Sequence, residues 1–209
     1  MRQLIGRKKG MARFFAEDGE AIGVTIIEAG PCPIVQVKTQ DKDGYDALQM
    51  GFGEKRAALL TKPQLGHLGD LPPTRYLREV RLEEPAEHTR GDVLTVGIFR
   101  VGDRVDVSGI SKGLGFQGTV RRHGFAGGPK THGQSDRLRA PGSVGSSSYP
   151  SRTYRGLRMA GRMGNKKITS RNLSVVAVRP EENLIFLRGA VPGKSNTVLT
   201  IREAKKRGR

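Results

Sequence analysis

Residues 112–171 read KGLGFQGTVRRHGFAGGPKTHGQSDRLRAPGSVGSSSYPSRTYRGLRMAGRMGNKKITSR, and this stretch settles how the chain can fold. It carries 13 Lys and Arg side chains against one acid, Asp136, and so holds +12 of the chain's formal charge of +17. Residues 1–111 contain 16 basic and 16 acidic residues, and residues 172–209 contain eight basic and three acidic residues. The positive charge is therefore concentrated in one internal segment.

The composition of this segment indicates that it does not fold alone. Only eight of its side chains are Leu, Ile, Val or Phe, and 12 of its positions are Gly. So little apolar surface cannot offset the entropy that is lost when the backbone becomes ordered. We expect residues 112–171 to be flexible in the free protein and to become ordered on a dense polyanion, for which nucleic acids are the common candidates. A solvated basic loop without a dedicated partner is the alternative.

The rest of the chain is long enough for one hydrophobic core. Removing the basic segment leaves 149 of the 209 residues, a comfortable size for a single domain. Residues 1–111 and 172–209 are predicted to form one globular domain together, interrupted by the basic arm at residues 112–171. Residues 203–209 form a second, weaker basic element, a tail.

Short apolar runs separated by turn residues are typical of antiparallel sheets. Strands are predicted at residues 11–16, 21–28, 34–39, 45–52, 173–179, 184–189 and 197–202. Residues 91–99 and 104–108 are predicted to form a hairpin, residues 54–60 a short helix and residues 62–73 a surface loop. The predicted fold class is mainly β: an antiparallel β-barrel body with a long, irregular, basic central loop and few short helices.

The single cysteine and the apolar runs of the sequence indicate the cellular location of the protein. Cys32 is the only cysteine and lies in an apolar run, which favours a small buried residue over a reactive thiol. No apolar run near the N-terminus is long enough for a signal peptide, and no other run exceeds strand length. The sequence therefore predicts a soluble, intracellular protein.

Residues 113–118, GLGFQG, match the dinucleotide-binding pattern G-x-G-x-x-G. That pattern needs a following helix of some length and a second strand, whereas Gly124, Gly127, Gly128 and Pro129 break any helix within one or two turns. The favoured interpretation is that Gly113, Gly115, Gly118, Gly127 and Gly128 let the backbone pass close to another backbone. A nucleotide-dependent enzyme remains the weaker hypothesis.

The remaining polar residues do not favour catalysis or metal binding. His123 and His132 have no cysteine nearby and only Asp136 as a neighbouring acid, so no metal site is predicted. Ser146, Ser147 and Ser148 lack the context of a nucleophile. Arg152, Arg155, Arg158 and Arg162 recur at three- or four-residue spacing, which on a helix would form one cationic face, although Pro150, Gly156 and Gly161 oppose a stable free helix. We predict no enzymatic activity and no cofactor.

Residues 106–118 read DVSGISKGLGFQG and lie within the stretch 99–122. This stretch resembles the signature of ribosomal protein three of the large subunit, in its bacterial form. Further matches in the expected order are AGPCP at residues 29–33, HGFAGG at 123–128, THG at 131–133, RAPGS at 139–143, MAGRMGN at 159–165 and GAVPG at 189–193. The matches span essentially the whole chain.

The resemblance implies a barrel on the surface of the large subunit and a long loop that enters ribosomal RNA (rRNA) toward the peptidyl transferase centre. It also implies direct binding near the 3′ end of large-subunit (23S-type) rRNA, an early role in assembly, and neighbouring ribosomal proteins as partners. Carried onto this chain, the rRNA-binding residues are Lys112, Arg121, Arg122, His123, Lys130, His132, Arg137, Arg139, Arg152, Arg155, Arg158, Arg162, Lys166 and Lys167. Two positions depart from the family: Leu114 replaces a usual Lys or Arg, and Ser148 replaces a Gln that is methylated in many bacterial members.

The sequence thus predicts a cytoplasmic, structural, rRNA-binding protein of the large ribosomal subunit, without a membrane or a small-molecule substrate. The alternative is a free nucleic-acid-binding protein or RNA chaperone with a disordered cationic loop. Aromatic residues make up 5% of the chain and Trp is absent, so base stacking is not expected to be the main recognition device. Contacts of Arg and Lys with the RNA backbone fit the composition better.

Overall fold

The computed structural model describes residues 2–82 and 88–204. These residues separate into two compact units. Residues up to Ile110 together with those from Lys167 onward form the first, the barrel unit, and residues 111–166 form the second, the central unit. The structure therefore ends the inserted segment at residue 166. Residues 167–171, which the sequence-based boundary placed in the arm, belong to a barrel strand because Lys167 pairs with Ile110 and Ile168 with Gly109.

The described residues are mainly β, with short helices between the strands. The strands are β1 (Gln3–Phe15), β2 (Ala21–Ala29), β3 (Cys32–Lys38), β4 (Ala47–Glu54), β5 (Thr74–Arg81), β6 (Val93–Leu94), β7 (Arg104–Ile110), β8 (Gly115–Gln117), β9 (Gly161–Met163), β10 (Lys167–Arg179), β11 (Leu184–Arg188) and β12 (Val198–Glu203). The helices are α1 (Gln40–Asp43), α2 (Lys62–Leu68) and α3 (Thr119–His123).

Six strands close into an antiparallel barrel in the order β1-β12-β7-β10-β11-β2, and the pairing of β2 with β1 completes the ring. The last strand, β12, is a member of this ring. It pairs with β1 on one side, where Leu4 faces Ile201, and with β7 on the other. Both flanks of the central unit therefore contribute to one sheet. The predicted fold class, a mainly β protein with an antiparallel barrel and few short helices, is confirmed.

The hairpin predicted for residues 91–99 and 104–108 is wrong. β6 contains only Val93 and Leu94 and pairs with β3, in a second sheet of order β5-β4-β3-β6. A 3₁₀ turn at Val96–Ile98 follows, and β7 then pairs with β12 and β10. The local pattern of two apolar runs around a Gly-Asp turn could not reveal that β7 finds its partners far along the chain.

The predicted loop at residues 62–73 contains a helix, α2. The Gln64 side chain accepts a hydrogen bond from the backbone N–H of Thr61 at 3.1 Å, as part of a capping box. Pro63 lies in the first turn of this helix, where the missing N–H costs nothing. The helix predicted at residues 54–60 is reduced to a 3₁₀ turn at Ala57–Leu59. Counting Pro and Gly as breakers hid the capping pattern around Thr61.

The core of the barrel unit is built from inward-facing aliphatic side chains of the barrel strands. Leu4, Ile5, Ile27, Val105, Val107, Ile185, Leu187 and Ile201 are completely inaccessible to solvent. Burial of this many branched side chains supplies the main driving force for folding. Cys32 belongs to the same core, and burial raises the pKa of its thiol to about 11. The interpretation of Cys32 as a buried apolar residue is confirmed.

Asp106 is a buried carboxylate on β7 that contacts both neighbouring strands. Its Oδ1 accepts a hydrogen bond from the backbone N–H of Asn172 at 2.9 Å, and its Oδ2 lies 3.2 Å from Nη2 of Arg202. Asn172 has a φ of 57° and lies at a bulge in β10. A buried carboxylate is stable only when hydrogen bonds and an opposite charge replace its hydration. Asp106 therefore connects β7 with β10 and β12.

We expect the barrel core to be sensitive to a single cavity at Ile201 in β12, which is completely buried. Replacing Ile201 with Ala should lower the free energy of unfolding by about 2–5 kcal/mol, because the lost packing leaves a cavity. Urea unfolding followed by circular dichroism measures the change. The matched control is Ile168→Ala in β10, where 47% of the side chain is exposed, and it should cost about 1 kcal/mol or less. Equal losses at both positions would contradict the assigned core.

A second prediction concerns pH, through the pair formed by Arg2 and Glu203. Arg2 donates hydrogen bonds from Nη2 to Oε1 of Glu203 at 3.1 Å and from Nε to Oε2 at 3.3 Å. These hydrogen bonds lower the pKa of the Glu203 carboxyl from its ordinary value of 4.5. A lowered pKa means that folding favours the charged form, so the stabilisation is complete above the ordinary pKa and is lost as the pH falls below it.

The wild-type chain should therefore unfold at higher urea concentration than Glu203→Gln at about pH 7, and this difference should narrow as the pH falls below the ordinary pKa of 4.5. Glu182→Gln is the control, because Glu182 forms a single contact of 3.5 Å with Arg179 in an exposed pair, and such pairs contribute little. A difference for Glu203→Gln that persists unchanged at pH 3 would contradict the assigned ionic interaction.

Candidate nucleic-acid interface

The central unit carries a large positive charge that the described part of the chain does not neutralise. Of the 13 cations in residues 112–171, Lys167 and Arg171 lie in β10, which leaves 11 cations and one acid in residues 111–166. Among residues 2–82 and 88–204, the ion pairs join acids to cations of the barrel unit: Arg2, Lys9, Lys38, His88, Arg179, Arg188 and Arg202. None of these pairs involves a cation of the central unit. The surface of the central unit is thus suited to an anionic partner.

The two ends of the central unit are held together by backbone hydrogen bonds. The N–H of Ser111 donates to the carbonyl of Lys166, and the N–H of Leu114 donates to the carbonyl of Met163, each at 2.9 Å. β8 pairs antiparallel with β9, so that Gly115 faces Met163. Gly164 has a φ of 75°, and a Cβ there would collide with the carbonyl oxygen of Lys112. The two chain segments therefore approach closely at this point.

The predicted dinucleotide fingerprint does not form. Gly115–Gln117 is the short strand β8, Gly118 precedes α3, and α3 contains only five residues. It ends at Gly124, which has a φ of 75°. A dinucleotide site requires a longer helix that packs on a parallel sheet. The prediction that the glycines end any helix within one or two turns is confirmed, and the nucleotide-dependent enzyme is not supported by the geometry.

Among the predicted close-approach glycines, Gly127 and Gly128 lie against another part of the backbone, whereas Gly113, Gly115 and Gly118 have space around them. A Cβ at Gly127 would collide with the carbonyl oxygen of Leu138, and one at Gly128 would lie 2.9 Å from the carbonyl oxygen of Arg137. The backbone N–H of Gly128 also donates to the carbonyl of Leu138 at 2.9 Å. A Cβ at Gly113 would lie 3.7 Å from Cβ of Asn165, and no atom lies within 4 Å of a Cβ at Gly115 or Gly118.

Arg122 and His123 differ from the other predicted contact residues, because both are half-buried and bonded within the unit. Arg122 donates from Nη1 to the carbonyl of Met159 at 2.7 Å, and Nε2 of His123 lies 3.0 Å from the same carbonyl oxygen. Arg121 donates from Nη1 to Oε1 of Gln117 at 3.3 Å. The other predicted contact residues are exposed or half-exposed at the surface: Lys112, Arg121, Lys130, His132, Arg137, Arg139, Arg152, Arg155, Arg158, Arg162, Lys166 and Lys167.

The cationic helix considered for residues 152–162 does not form. Arg152, Arg155 and Arg158 lie in irregular backbone, and Arg162 lies in β9 opposite Phe116. Pro150 and Gly156 are the breakers that the sequence analysis weighed against a helix. The arginines therefore project from an irregular segment and do not share one helical face.

Sequence analysis missed the aromatic side chains of the central unit as candidate contact residues. Tyr149 is 84% exposed, Phe116 75% and Tyr154 63%. Exposed rings next to arginines are typical of surfaces on which nucleic-acid bases stack. The signal was the position of Tyr149 and Tyr154 on either side of Arg152, and it was overlooked because the aromatic content of the whole chain is low.

The described residues offer neither a metal site nor a membrane-spanning helix. Residues 2–82 and 88–204 contain no group of three His, Cys, Asp or Glu side chains that could hold a metal ion. Among the described helices, none has the length and apolar character needed to cross a membrane.

The fold and the charge distribution define a class: a small β-barrel protein with an inserted cationic unit. A family model described as Ribosomal protein L3 matches residues 80–183. Large ribosomal subunit protein uL3 of Herpetosiphon aurantiacus is 52% identical over 206 residues, which cover 97% of this chain and 96% of the relative. The proteins of that name from Chloroherpeton thalassium and Chlorobium limicola are 53% and 49% identical, and the matches cover 98% and 99% of this chain and 100% of each relative.

The chain therefore belongs to the ribosomal protein L3 family, and the resemblance found in the sequence is confirmed. Members of this family are structural ribosomal proteins and not enzymes, and the same holds for this chain.

Proposed function

We propose that this chain is a structural constituent of the large ribosomal subunit, in which the barrel unit carries the central unit and the central unit binds rRNA. The family membership supports the first part. The second part is carried by one observation: 11 cations and one acid occupy residues 111–166, and none of the ion pairs within the described residues neutralises those cations. Bacterial large subunits are cytoplasmic, so the chain works in the cytoplasm.

The proposed RNA contacts are of two kinds. The exposed cations Lys112, Arg121, Lys130, Arg137, Arg139, Arg152, Arg155, Arg158, Arg162, Lys166 and Lys167 bind phosphates, and His132 donates a hydrogen bond to phosphate or ribose. Backbone N–H groups near Gly113, Gly115 and Gly118 also bind phosphates, because glycine lets the RNA backbone approach. Tyr149 and Tyr154 add stacking on unpaired bases. Arg122 and His123 bond within the central unit instead.

In finer detail, we propose that the chain binds 23S-type rRNA near its 3′ end, nucleates assembly of the subunit and extends residues 111–166 toward the peptidyl transferase centre. The cations of this segment screen RNA strands that would otherwise repel each other. The basic tail at residues 203–209 adds phosphate contacts, and its residues 205–209 lie outside the described residues. Neighbouring ribosomal proteins contact the barrel unit. The competing hypothesis is a free RNA-binding protein or RNA chaperone.

Sedimentation distinguishes these two functions. In a sucrose gradient of cell lysate, the protein should migrate with the large subunit, and it should stay there at about 0.5 M salt because its contacts are numerous and specific. Immunoblotting of the fractions provides the measurement, and a translation factor that dissociates at high salt serves as the control. Release of this chain into the light fractions would favour the free RNA-binding protein.

The phosphate contacts can be counted from the salt dependence of RNA binding. The double variant Arg155→Gln/Arg158→Gln should weaken binding to a 3′-terminal 23S-type rRNA fragment, because two cations no longer release counterions. The slope of log K against log salt should fall in magnitude by about 2. Filter binding at several salt concentrations measures this slope.

The matched control for this experiment is Arg188→Gln in the barrel unit, where Arg188 already pairs with Glu20 at 3.0 Å. Its slope should equal that of the wild-type chain. A double variant with an unchanged slope would show that Arg155 and Arg158 do not contact phosphate.

A further inference from the structure

One backbone carbonyl in the central unit accepts hydrogen bonds from two side chains of α3. The carbonyl oxygen of Met159 lies 2.7 Å from Nη1 of Arg122 and 3.0 Å from Nε2 of His123. A carbonyl can only accept, so Nε2 of His123 carries the proton in this arrangement. The donors belong to the outgoing part of the segment and the acceptor to the returning part, so these bonds close a long loop.

Gly161 provides the space that this arrangement requires. A Cβ at Gly161 would lie 2.6 Å from Nη1 and 3.1 Å from Cζ of Arg122. The guanidinium group therefore occupies the place that any larger side chain would fill. An added methyl group can be accommodated only if the guanidinium moves, and we expect that movement to weaken its hydrogen bond to Met159. Gly161 lies in β9 opposite Gln117 in β8, so strand pairing fixes its position.

The rest of the central unit differs in how it is held. Residues 111–124 and 159–166, which we call the stem, combine these side-chain bonds with the β8–β9 pairing and three further backbone bonds between the two segments. Residues 125–158, which we call the distal segment, form local turns such as Ala140 N–H to Arg137 and Leu157 N–H to Tyr154. One longer bond joins Gly128 to Leu138. Every residue from 151 to 160 is exposed.

We propose that Arg122 and His123 are positioning residues that keep the stem folded in the free protein, while the distal segment orders only on RNA. The part of this inference that concerns RNA rests on the proposed RNA-binding function. It divides the arm, which composition alone treats as uniformly flexible, into two parts. It also assigns the cation of Arg122 to a contact within the protein. A closed stem removes part of the ordering entropy before RNA binds, and such preorganisation strengthens binding.

Amide exchange of the full-length free protein tests the division. The N–H groups of Leu114, Arg122 and Gly124, which bond within the stem, should exchange at least about tenfold more slowly than those of Gln134, Ala140 and Leu157 in the distal segment. NMR or mass spectrometry with peptide resolution provides the rates. Equal rates in the two segments would overturn the proposal.

Gly161→Ala tests the role of Arg122 without changing any charge. It should speed exchange at the stem amides about tenfold, because it displaces a charge-assisted hydrogen bond. Gly113→Ala is the matched control for exchange, since its Cβ would meet Cβ of Asn165 at an ordinary contact distance of 3.7 Å, and it should leave the stem rates within about twofold. Unchanged stem exchange in Gly161→Ala would overturn the role of Arg122.

His123 is tested by a pair of substitutions. His123→Phe keeps a ring beside Phe125, whose ring centroid lies 6.0 Å away, but removes the donor. His123→Gln restores an N–H donor. The first should speed stem exchange by about threefold to tenfold, and the second should rescue it. Equal effects of both substitutions would contradict a hydrogen-bonding role.

Binding to the rRNA fragment separates this proposal from the proposed function. Gly161→Ala should weaken binding about threefold to tenfold and leave the salt slope unchanged, because it removes no cation. An unchanged affinity would show that the closed stem does not contribute to binding. If the wild-type chain bound no rRNA specifically, the proposed function would fail, whereas the exchange experiment would still decide whether the stem is folded.

Discussion

The buried carboxylate of Asp106 connects β7 to both of its neighbours in the barrel. β7 lies between β12 and β10, and Asp106 on β7 contacts Arg202 from one neighbour and the backbone of Asn172 from the other. The whole central unit, residues 111–166, separates β7 from β10 in the chain, so their pairing closes a long loop. A buried ionic contact adds little net stability, but removing one of its partners is costly because the other charge is left buried and unpaired. Asp106 thus links β7 to the two strands that follow the insertion in the chain.

The barrel unit and the central unit differ in how much apolar surface they bury and in how much charge they carry. The barrel unit buries a continuous aliphatic core, and several of its cations pair with acids. The central unit has almost no buried side chains, Thr119 being the one described residue there that is fully buried. Its cations are instead available to an external polyanion. The central unit, which buries too little apolar surface to fold by its own hydrophobic effect, is thus inserted in a unit that has a hydrophobic core.

Much of this arrangement could be read from local sequence signals, and each error has an identifiable cause. Alternating β-branched residues predicted strands of the barrel, and Gly-rich, Arg-rich composition predicted the central segment. The helix α2 was missed because its capping residues, Thr61 and Gln64, stand beside Pro63. The hairpin at residues 91–108 was wrong because β7 finds its partners in β10 and β12, beyond the central unit. The exposed tyrosines were missed because a whole-chain percentage conceals a local cluster.

Residue types and their order were sufficient to establish where the charge lies, the mainly β class and the family. The strand order, the end of the insertion at residue 166 and the hydrogen bonds of Arg122 and His123 to the carbonyl of Met159 emerged only from the folded chain. These features depend on contacts between residues distant in sequence, and a cation in the sequence looks the same whether it binds phosphate or a carbonyl. The close approach of the Arg122 guanidinium to Gly161 likewise depends on the folded chain, because the pairing of β8 with β9 fixes the position of Gly161.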